Sequence, residues 1–331
     1  MVAPPKSPRT TSPSTPKPVA KKTVTTAKAK APTKAAAPAK KAVATAKPKA
    51  PTKTATKNAT AKNATAKRPR VTAVRPDALV LGIDIGGSGI KGAPVDLNNG
   101  VLALDRLRIE TPQPSTPQAC AEVVATITKH FEHATALNGP IGITYPGVVW
   151  DGVTHTAANV DKGWIGLDAD GLFEEALKRP VTVLNDAQAA VLAECRYGAA
   201  RGVDGLVLML TFGTGIGSGL AYRGVAIPGI ELGHLIMKGR DAEHLAAASV
   251  KEKEKLSWKQ WSERVNDYLF RVESMMWPEL IVIGGGLSDE PHKFLPRLTS
   301  RAPITTARLV NGAGIVGAAI AATSQRNIHK R

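Results

Sequence analysis

Apolar runs that end in glycine recur along this chain. Residues 79–83, Leu-Val-Leu-Gly-Ile, lead without alternation into Asp84 and then into Gly86-Gly87-Ser88-Gly89. Such a run suits a central strand covered on both faces, because both sides of the pleat then need apolar residues. Residues 90–95 and 101–109 read as two further strands, joined by Asp96-Leu97-Asn98-Asn99-Gly100, which has hairpin-turn chemistry. Thr116-Pro117 signals a helix start, and Cys120, Val123, Val124, Ile127, Phe131 and Ala134 follow at helical spacing. Short buried strands are predicted over 142–145, 181–184, 206–210 and 280–283. Helices are predicted over 187–197 (closed by Gly198), 258–277 and 313–323. In the second of these, Trp258, Trp261, Val265, Leu269, Val272 and Met276 share one stripe, which reads as core rather than as a binding platform. A three-strand meander, then strands alternating with helices, then the strand–glycine unit again predicts an α/β protein.

Charge divides the chain. Residues 1–70 hold 15 Lys, 3 Arg and no acid, which leaves the remainder with 26 basic and 27 acidic side chains under a formal total of +17. The basic segment is built from Ala, Lys, Thr and Pro, with no aromatic residue, and cannot bury enough apolar surface to offset chain entropy. Residues 1–72 are therefore predicted to be a disordered tail, with the folded body starting near 73–76. Its two Asn-Ala-Thr triplets match a glycosylation pattern by chance, since no apolar signal segment accompanies them. Cys120 and Cys195 stand far apart, which fits buried free thiols in a reducing compartment and neither a disulfide framework nor a zinc site. The uncharged stretch 205–222 carries too many Gly, Thr and Ser residues for a membrane span. A soluble, cytoplasmic protein is expected.

Candidate chemistry lies at the strand ends. Three glycine turns, 86–89, 213–219 and 284–286, each follow an apolar strand, and glycine lets backbone N–H groups approach a bulky anion. Ligands in such sheets collect outside the carboxyl ends of strands, so the turns are expected to converge on one cleft. The pattern GxxxxGK[ST] does not occur at these turns. Asp84 is placed to hold a metal or water beside the anion; a hairpin with a buried Asp is the plain alternative. Asp186 starts a helix, where it could simply cap it, or could accept the proton of an attacking hydroxyl. A helix N-terminus favours the carboxylate, so Asp186 is expected to be ionised at neutral pH without being strongly basic. Glu231 and His234, three apart between glycines, could take sugar hydroxyls or form an ordinary surface turn. A metal site there is disfavoured, because no third ligand stands at helical or turn spacing from the pair.

The run Gly82-Ile83-Asp84-Ile85-Gly86-Gly87-Ser88-Gly89-Ile90-Lys91-Gly92, with Tyr145-Pro146-Gly147, residues 159–164, Asn185-Asp186-Ala187, residues 210–218, Glu231-Leu232-Gly233-His234, Ser257-Trp258 and Ile283-Gly284-Gly285-Gly286 in that order, resembles the polyphosphate-glucokinase branch of the ROK sugar kinases, within the hexokinase/actin-like ATPase superfamily. The resemblance covers residues 78–322. It implies two RNase-H-like α/β domains around a cleft (73–186 and 187–311), with a C-terminal helix, 312–325, packing back on the first. It implies Asp186 as catalytic base for the 6-hydroxyl of glucose, with mannose as a second sugar, and Asn159, Asn185, Glu231 and His234 as sugar ligands. Asp84 would serve Mg²⁺. Gly86, Gly87, Ser88, Lys91, Thr214, Gly215, Gly285 and Gly286 would face the donor, inorganic polyphosphate or ATP. A homodimer is implied, and the tail could gather polyphosphate or other polyanions, DNA included. Three features depart from the pattern. Residues 235–248 lack the cysteines of a zinc motif, so zinc is not expected; residues 226–230 lack an expected Asn; and Gln188 stands where an acid is common. An ATP-only glucokinase and a sugar-sensing, nucleic-acid-binding regulator are the alternative readings.

Overall fold

The computed structural model describes residues 79–135, 137–309 and 312–324. The predicted tail, residues 73–78 and residue 325 lie outside the described residues. The first sheet forms around the apolar run at its centre. β1 (Leu79–Ile85) pairs antiparallel with β2 (Ile90–Asp96), whose outer edge carries β3 (Val101–Leu102) and β4 (Leu107–Ile109). The continuous strand predicted over 101–109 is thus two pieces. Ala103 donates its N–H to Pro94 of β2, but Pro94 has no N–H to return, and the ladder opens opposite it. After α1 (Pro117–Thr135), β5 (Ile141–Tyr145) lies parallel to β1. A small hairpin, β6 (Val149–Trp150) and β7 (Val153–Thr154), and α2 (Ala169–Leu177) precede β8 (Val181–Asn185), parallel to β5.

The chain then enters α3 (Asp186–Tyr197) and builds a second sheet in order β11-β10-β9-β14-β15. β9 (Leu206–Phe212), β10 (Ile216–Tyr222) and β11 (Val225–Ile227) form an antiparallel meander, and β12 (Ile236–Met237) and β13 (Arg240–Asp241) a separate hairpin. Helices α4 (Glu243–Ala246), α5 (Ala248–Lys253) and α6 (Trp258–Met275) lead to β14 (Leu280–Gly284); α7 (Pro291–Phe294) and β15 (Ile304–Thr306) follow, with α8 (Ala313–Ser324) last. The helix predicted over 258–277 stops at Met275, because Pro278 disfavours helical backbone in the residue before it. Its stripe is core: Trp261, Val265, Leu269 and Val272 are fully buried.

Alternation along each central strand sorts the layers. Leu81, Ile83 and Ile85 face α1 and α2, while Val80 faces Ile315, Val316 and Ala319 of α8. Leu208, Leu210 and Phe212 face α6, while Val207 and Met209 face Ala190 and Val191 of α3. Helices α3 and α8 therefore lie between the sheets. Glycine makes this approach feasible. Gly82 and Gly142 are paired across β1 and β5, and a Cβ on either would fall 2.0 Å from the Ile315 carbonyl oxygen or 1.8 Å from that of Ala318. Among the described residues, no helix is long and apolar enough to cross a membrane.

Candidate active site

The turn between β1 and β2 is closed by the Gly86 N–H donating to the Gly89 carbonyl at 3.1 Å, and Thr111 donates its hydroxyl to the Gly86 carbonyl at 2.5 Å. Gly87 and Ser88 are exposed at its tip. Asn159 stands beside it: a Cβ on Gly87 would lie 3.9 Å from the Asn159 Cβ. The Asn159 loop is anchored by Trp164, fully buried, whose indole N–H donates to the Ser115 carbonyl at 3.0 Å.

Asp84 sits one residue before the end of β1. Thr144 donates its hydroxyl to Asp84 Oδ1 at 2.7 Å, and the Lys91 ammonium lies 3.7 Å from Oδ2. Gly314, at the start of α8, comes so close that a Cβ there would be 3.3 Å from the Asp84 carboxyl. At the end of β8, Asn185 caps α3, accepting from the Gln188 N–H at 3.0 Å and donating its amide to the Gly147 carbonyl at 3.1 Å.

Asp186 follows as the first residue of α3, its Oδ1 accepting from the Ala187 N–H at 2.7 Å. Solvent reaches its side chain, yet protein crowds around it on the scale of several ångströms. That crowding, and next the charge of Asp84, push its carboxyl from 3.8 to about 6, against hydrogen bonds that favour the anion. The expectation that Asp186 is ionised at neutral pH without being strongly basic agrees with this value, although crowding outweighs the helix terminus in setting it. At pH 7 the group is still mostly ionised, roughly ten to one.

Glu231 and His234 flank a single 3₁₀ turn, residues 232–234. Ser218 of β10 holds that turn in place, accepting from the Leu232 N–H at 2.8 Å and donating to the Ile230 carbonyl at 2.9 Å. Gly233 is required there, since a Cβ would lie 2.3 Å from the Ile216 carbonyl oxygen. Burial raises the Glu231 carboxyl; His234 opposes the rise, and Asp186 and Glu243 add to it. His234 is exposed and its Nδ1 lies 2.9 Å from Asp241 Oδ2, which raises the imidazole's proton affinity. Neutral His234 thus donates Nδ1–H to Asp241 and presents Nε2 as an acceptor; protonated, it donates from both nitrogens. Glu243 Oε2 accepts from the Ile216 N–H at 3.2 Å and lies against Gly215 and Gly233.

Glu231 and His234 do not share a group of potential metal ligands among the described residues; two other acids stand beside His234. The β12–β13 hairpin returns Asp241 and Glu243 to His234, with one donor atom of each within 4.8 Å of the others. Spacings of seven and nine residues carry no periodic signal, so sequence reasoning missed both acids. It also missed Arg108, whose Nη2 donates to the Ser88 carbonyl at 2.7 Å.

The second glycine turn is shorter than predicted. Only residues 213–215 form it, with the Gly213 N–H donating to the Gly215 carbonyl at 3.0 Å, while Gly217 and Gly219 belong to β10. Gly219 is glycine because α3 crosses there: a Cβ on it would sit 2.2 Å from the Ala187 carbonyl oxygen, while one on Gly217 would meet the Thr211 hydroxyl oxygen at 2.5 Å. Ser249 donates its hydroxyl to the Thr214 carbonyl at 2.6 Å. Gly285, at φ +87°, folds the third turn over the end of β9, where a Cβ would meet the Phe212 carbonyl oxygen at 2.3 Å. Gly286 continues that turn and is exposed. No hydrogen bond among the described residues joins the first turn to the other two. What links them is a chain of mutually felt charges: Asp84, Asp186, Glu231, Glu243. A narrow crevice lined by Asn185, Gln188, Ser218 and Glu231 opens beside them. A broader groove, lined by Asp151, Asp170 and Val225 among others, does not include Asp186.

The model of the ROK family matches residues 80–247. The polyphosphate glucokinase of Mycobacterium tuberculosis (strain CDC 1551 / Oshkosh) is 48% identical over 261 residues, 78% of this chain and 96% of that protein. The polyphosphate glucokinase of Mycobacterium leprae (strain TN) is 47% identical over 272 residues, 80% of this chain and 83% of that one. Among solved structures, the inorganic polyphosphate/ATP-glucomannokinase from Arthrobacter sp. strain KM matches with a TM-score of 0.69 and 49% identity, over 73% of this chain and 97% of that chain. By its matched segment and by these near full-length relatives, the chain belongs to the ROK family.

Proposed function

We propose that this protein is a polyphosphate-dependent glucokinase, which transfers the terminal phosphoryl group of inorganic polyphosphate, and also that of ATP, to the 6-hydroxyl of glucose. The observation that carries the reading is Asp186, a carboxylate of raised proton affinity at a solvent-reached helix start, close enough to Asp84 and Glu231 for their charges to be coupled. Phosphoryl transfer asks little covalent chemistry of the protein; positioning and charge stabilisation supply most of the acceleration. The glucose oxygen attacks the terminal phosphorus, the bridging oxygen leaves with the shortened polyphosphate, and the hydroxyl proton passes to Asp186. A base near 6 is ionised at neutral pH and still strong enough to hold that proton.

Asn159, Asn185, Glu231 and His234 hold the sugar hydroxyls, and Glu243 joins them from behind His234. Gly86, Gly87, Ser88, Thr214, Gly215, Gly285 and Gly286, with the Lys91 ammonium, face the donor, the Gly86 N–H closing its own turn and the other backbone N–H groups turned to the anion. Mg²⁺ fits the first sheet's end, where Asp84 offers a hard oxygen whose repulsion with Asp186 a cation would relieve. Asp84 would hold it, and it would supply neutralisation of charge on the phosphates. Mannose as a second sugar, a homodimer and polyanion binding by residues 1–70 belong to the same proposal. So does a cytoplasmic setting, which the free thiols Cys120 and Cys195 fit.

The test is formation of glucose 6-phosphate by purified protein with Mg²⁺ and either donor. Turnover with polyphosphate is expected; turnover with ATP alone would leave a nucleotide-specific glucokinase, and no turnover by folded protein would overturn the reading.

A further inference from the structure

The first glycine turn carries a cation that the proposed chemistry has not used. Thr144, Asp84, Lys91 and Arg108 stand in register across β5, β1, β2 and β4. Residues opposed in a ladder share one face of the sheet, so these four make a single polar row. The row is ordered by charge: a hydroxyl and a carboxylate at the sheet's centre, then an ammonium and a guanidinium toward its edge. At the usual strand spacing of about 5 Å, Arg108 stands about 10 Å out from Asp84.

Arg108 is held against the turn rather than left to wander. Its Nη2 donates to the Ser88 carbonyl at 2.7 Å, and its guanidinium lies across Gly89, where a Cβ would come within 2.6 Å of Nε. Among the described residues it forms no ion pair, and it is exposed. A guanidinium has five N–H donors in a planar fork matched to phosphate, and a single carbonyl leaves most of that capacity facing solvent. Lys91, next to it in the row, is shared only loosely with Asp84 at 3.7 Å. A guanidinium with no carboxylate partner among the described residues and an ammonium only loosely held by Asp84, beside the exposed Gly87 and Ser88, make a shelf for a chain of anions.

We propose that Arg108, together with Lys91, binds the phosphoryl groups of the polyphosphate donor behind the one being transferred. The proposal rests on the reading of the cleft as a polyphosphate site. A polyphosphate carries charge along its whole length, whereas a nucleotide's charge ends at its third phosphate. Arg108 therefore discriminates in favour of the polymer.

The experiment uses the full chain with Arg108→Gln and Arg108→Lys, and measures kcat and KM for long-chain polyphosphate, ATP and glucose over a range of salt. Arg108→Gln is expected to raise the polyphosphate KM about tenfold and to flatten its salt dependence by about one ion, since each phosphate contact releases one counterion. The KM for glucose, and kcat at saturating donor, should stay within about twofold, and the ATP KM should rise less than that of polyphosphate. Arg108→Lys should restore most of the loss. An unchanged polyphosphate KM would overturn the proposal, and so would an equal fall in kcat with both donors together with a lower unfolding midpoint, which would make Arg108 a cap on the turn and nothing more. If wild-type protein turns over ATP but not polyphosphate, the broader reading fails, and polyphosphate competition against ATP becomes the readout. Weaker competition in Arg108→Gln would uphold the shelf; unchanged or absent competition would overturn it.

Discussion

β1 and β2 close on Gly86–Gly89 with Ile85 opposite Ile90, and β9 and β10 close on Gly213–Gly215 with Phe212 opposite Ile216. Each hairpin pairs its first strand with a parallel neighbour, β5 in one sheet and β14 in the other. One step in from the turn, the two hairpins differ. The first places Asp84 opposite Lys91; the second places Thr211 opposite Gly217, so close that a Cβ on Gly217 would lie 2.5 Å from the Thr211 hydroxyl oxygen. The same backbone thus carries a charged pair in one sheet and a neutral one in the other. A carboxylate is useful beside a bond that is changing, where a cation and a proton must be placed. Farther along a polyanion a carboxylate only repels, and bare N–H groups serve better.

Loss of Asp186, whose charge is coupled to Asp84 of the first hairpin, should have the largest effect. Asp186→Asn keeps the shape and removes the base, so kcat should fall about a thousandfold while glucose affinity, measured by calorimetry, stays within about threefold. A fall of tenfold or less would remove it from the reaction. Helix seating on the glycines comes next. Gly142→Ala forces a Cβ onto the Ala318 carbonyl, backbone against backbone, and should cost about 3 kcal/mol in urea unfolding, with Gly219→Ala costing somewhat less against Ala187. Equal tolerance of both would mean that α3 and α8 slide freely over their sheets.

The asymmetry of the hairpins is tested directly by a matched pair. Asp84→Asn should lower kcat about a hundredfold, whereas Thr211→Val should change it less than about threefold. The acid limb of kcat/KM should lie near pH 6, rising with pH as Asp186 ionises. Because Asp84 raises that group's proton affinity, Asp84→Asn should move the limb to lower pH; an upward shift would contradict the coupling. An effect smaller than that of Asp84→Asn is expected at Asp241. Asp241→Asn removes the acceptor that orients His234, so kcat/KM for glucose should fall about tenfold and the His234 titration, followed by NMR, should move to lower pH. A titration left in place would show that the contact does nothing for the imidazole.

Local pattern made the central strands readable, because a strand buried on both faces is an apolar run whatever surrounds it. It also marked Asp84, Asp186, Glu231 and His234, since each stands where a run of that kind ends or beside a glycine. Glycine itself was ambiguous. Gly217 and Gly219 look like turn residues in the sequence, yet they lie within β10, where the Thr211 hydroxyl crowds the first and the α3 backbone presses on the second. Asp241, Glu243 and Arg108 were invisible for another reason: each reaches its neighbour through a hairpin or a strand register that only the assembled sheet defines. The upward shift at Asp186 was not legible, because a helix terminus can be read locally, whereas crowding by distant segments cannot.

The seat of α8 has a consequence for how the protein is made. The face of β1 and β2 bearing Val80, Ala93 and Val95 is sealed by Ile315, Val316 and Ala319, which leave the ribosome long after those strands. Until then the first sheet carries an uncovered apolar surface and a strip of bare glycine backbone, the kind of surface chaperones recognise. A ribosome stalled before residue 313 would present that face to the cell, so completion of the first sheet is timed by the arrival of the last helix.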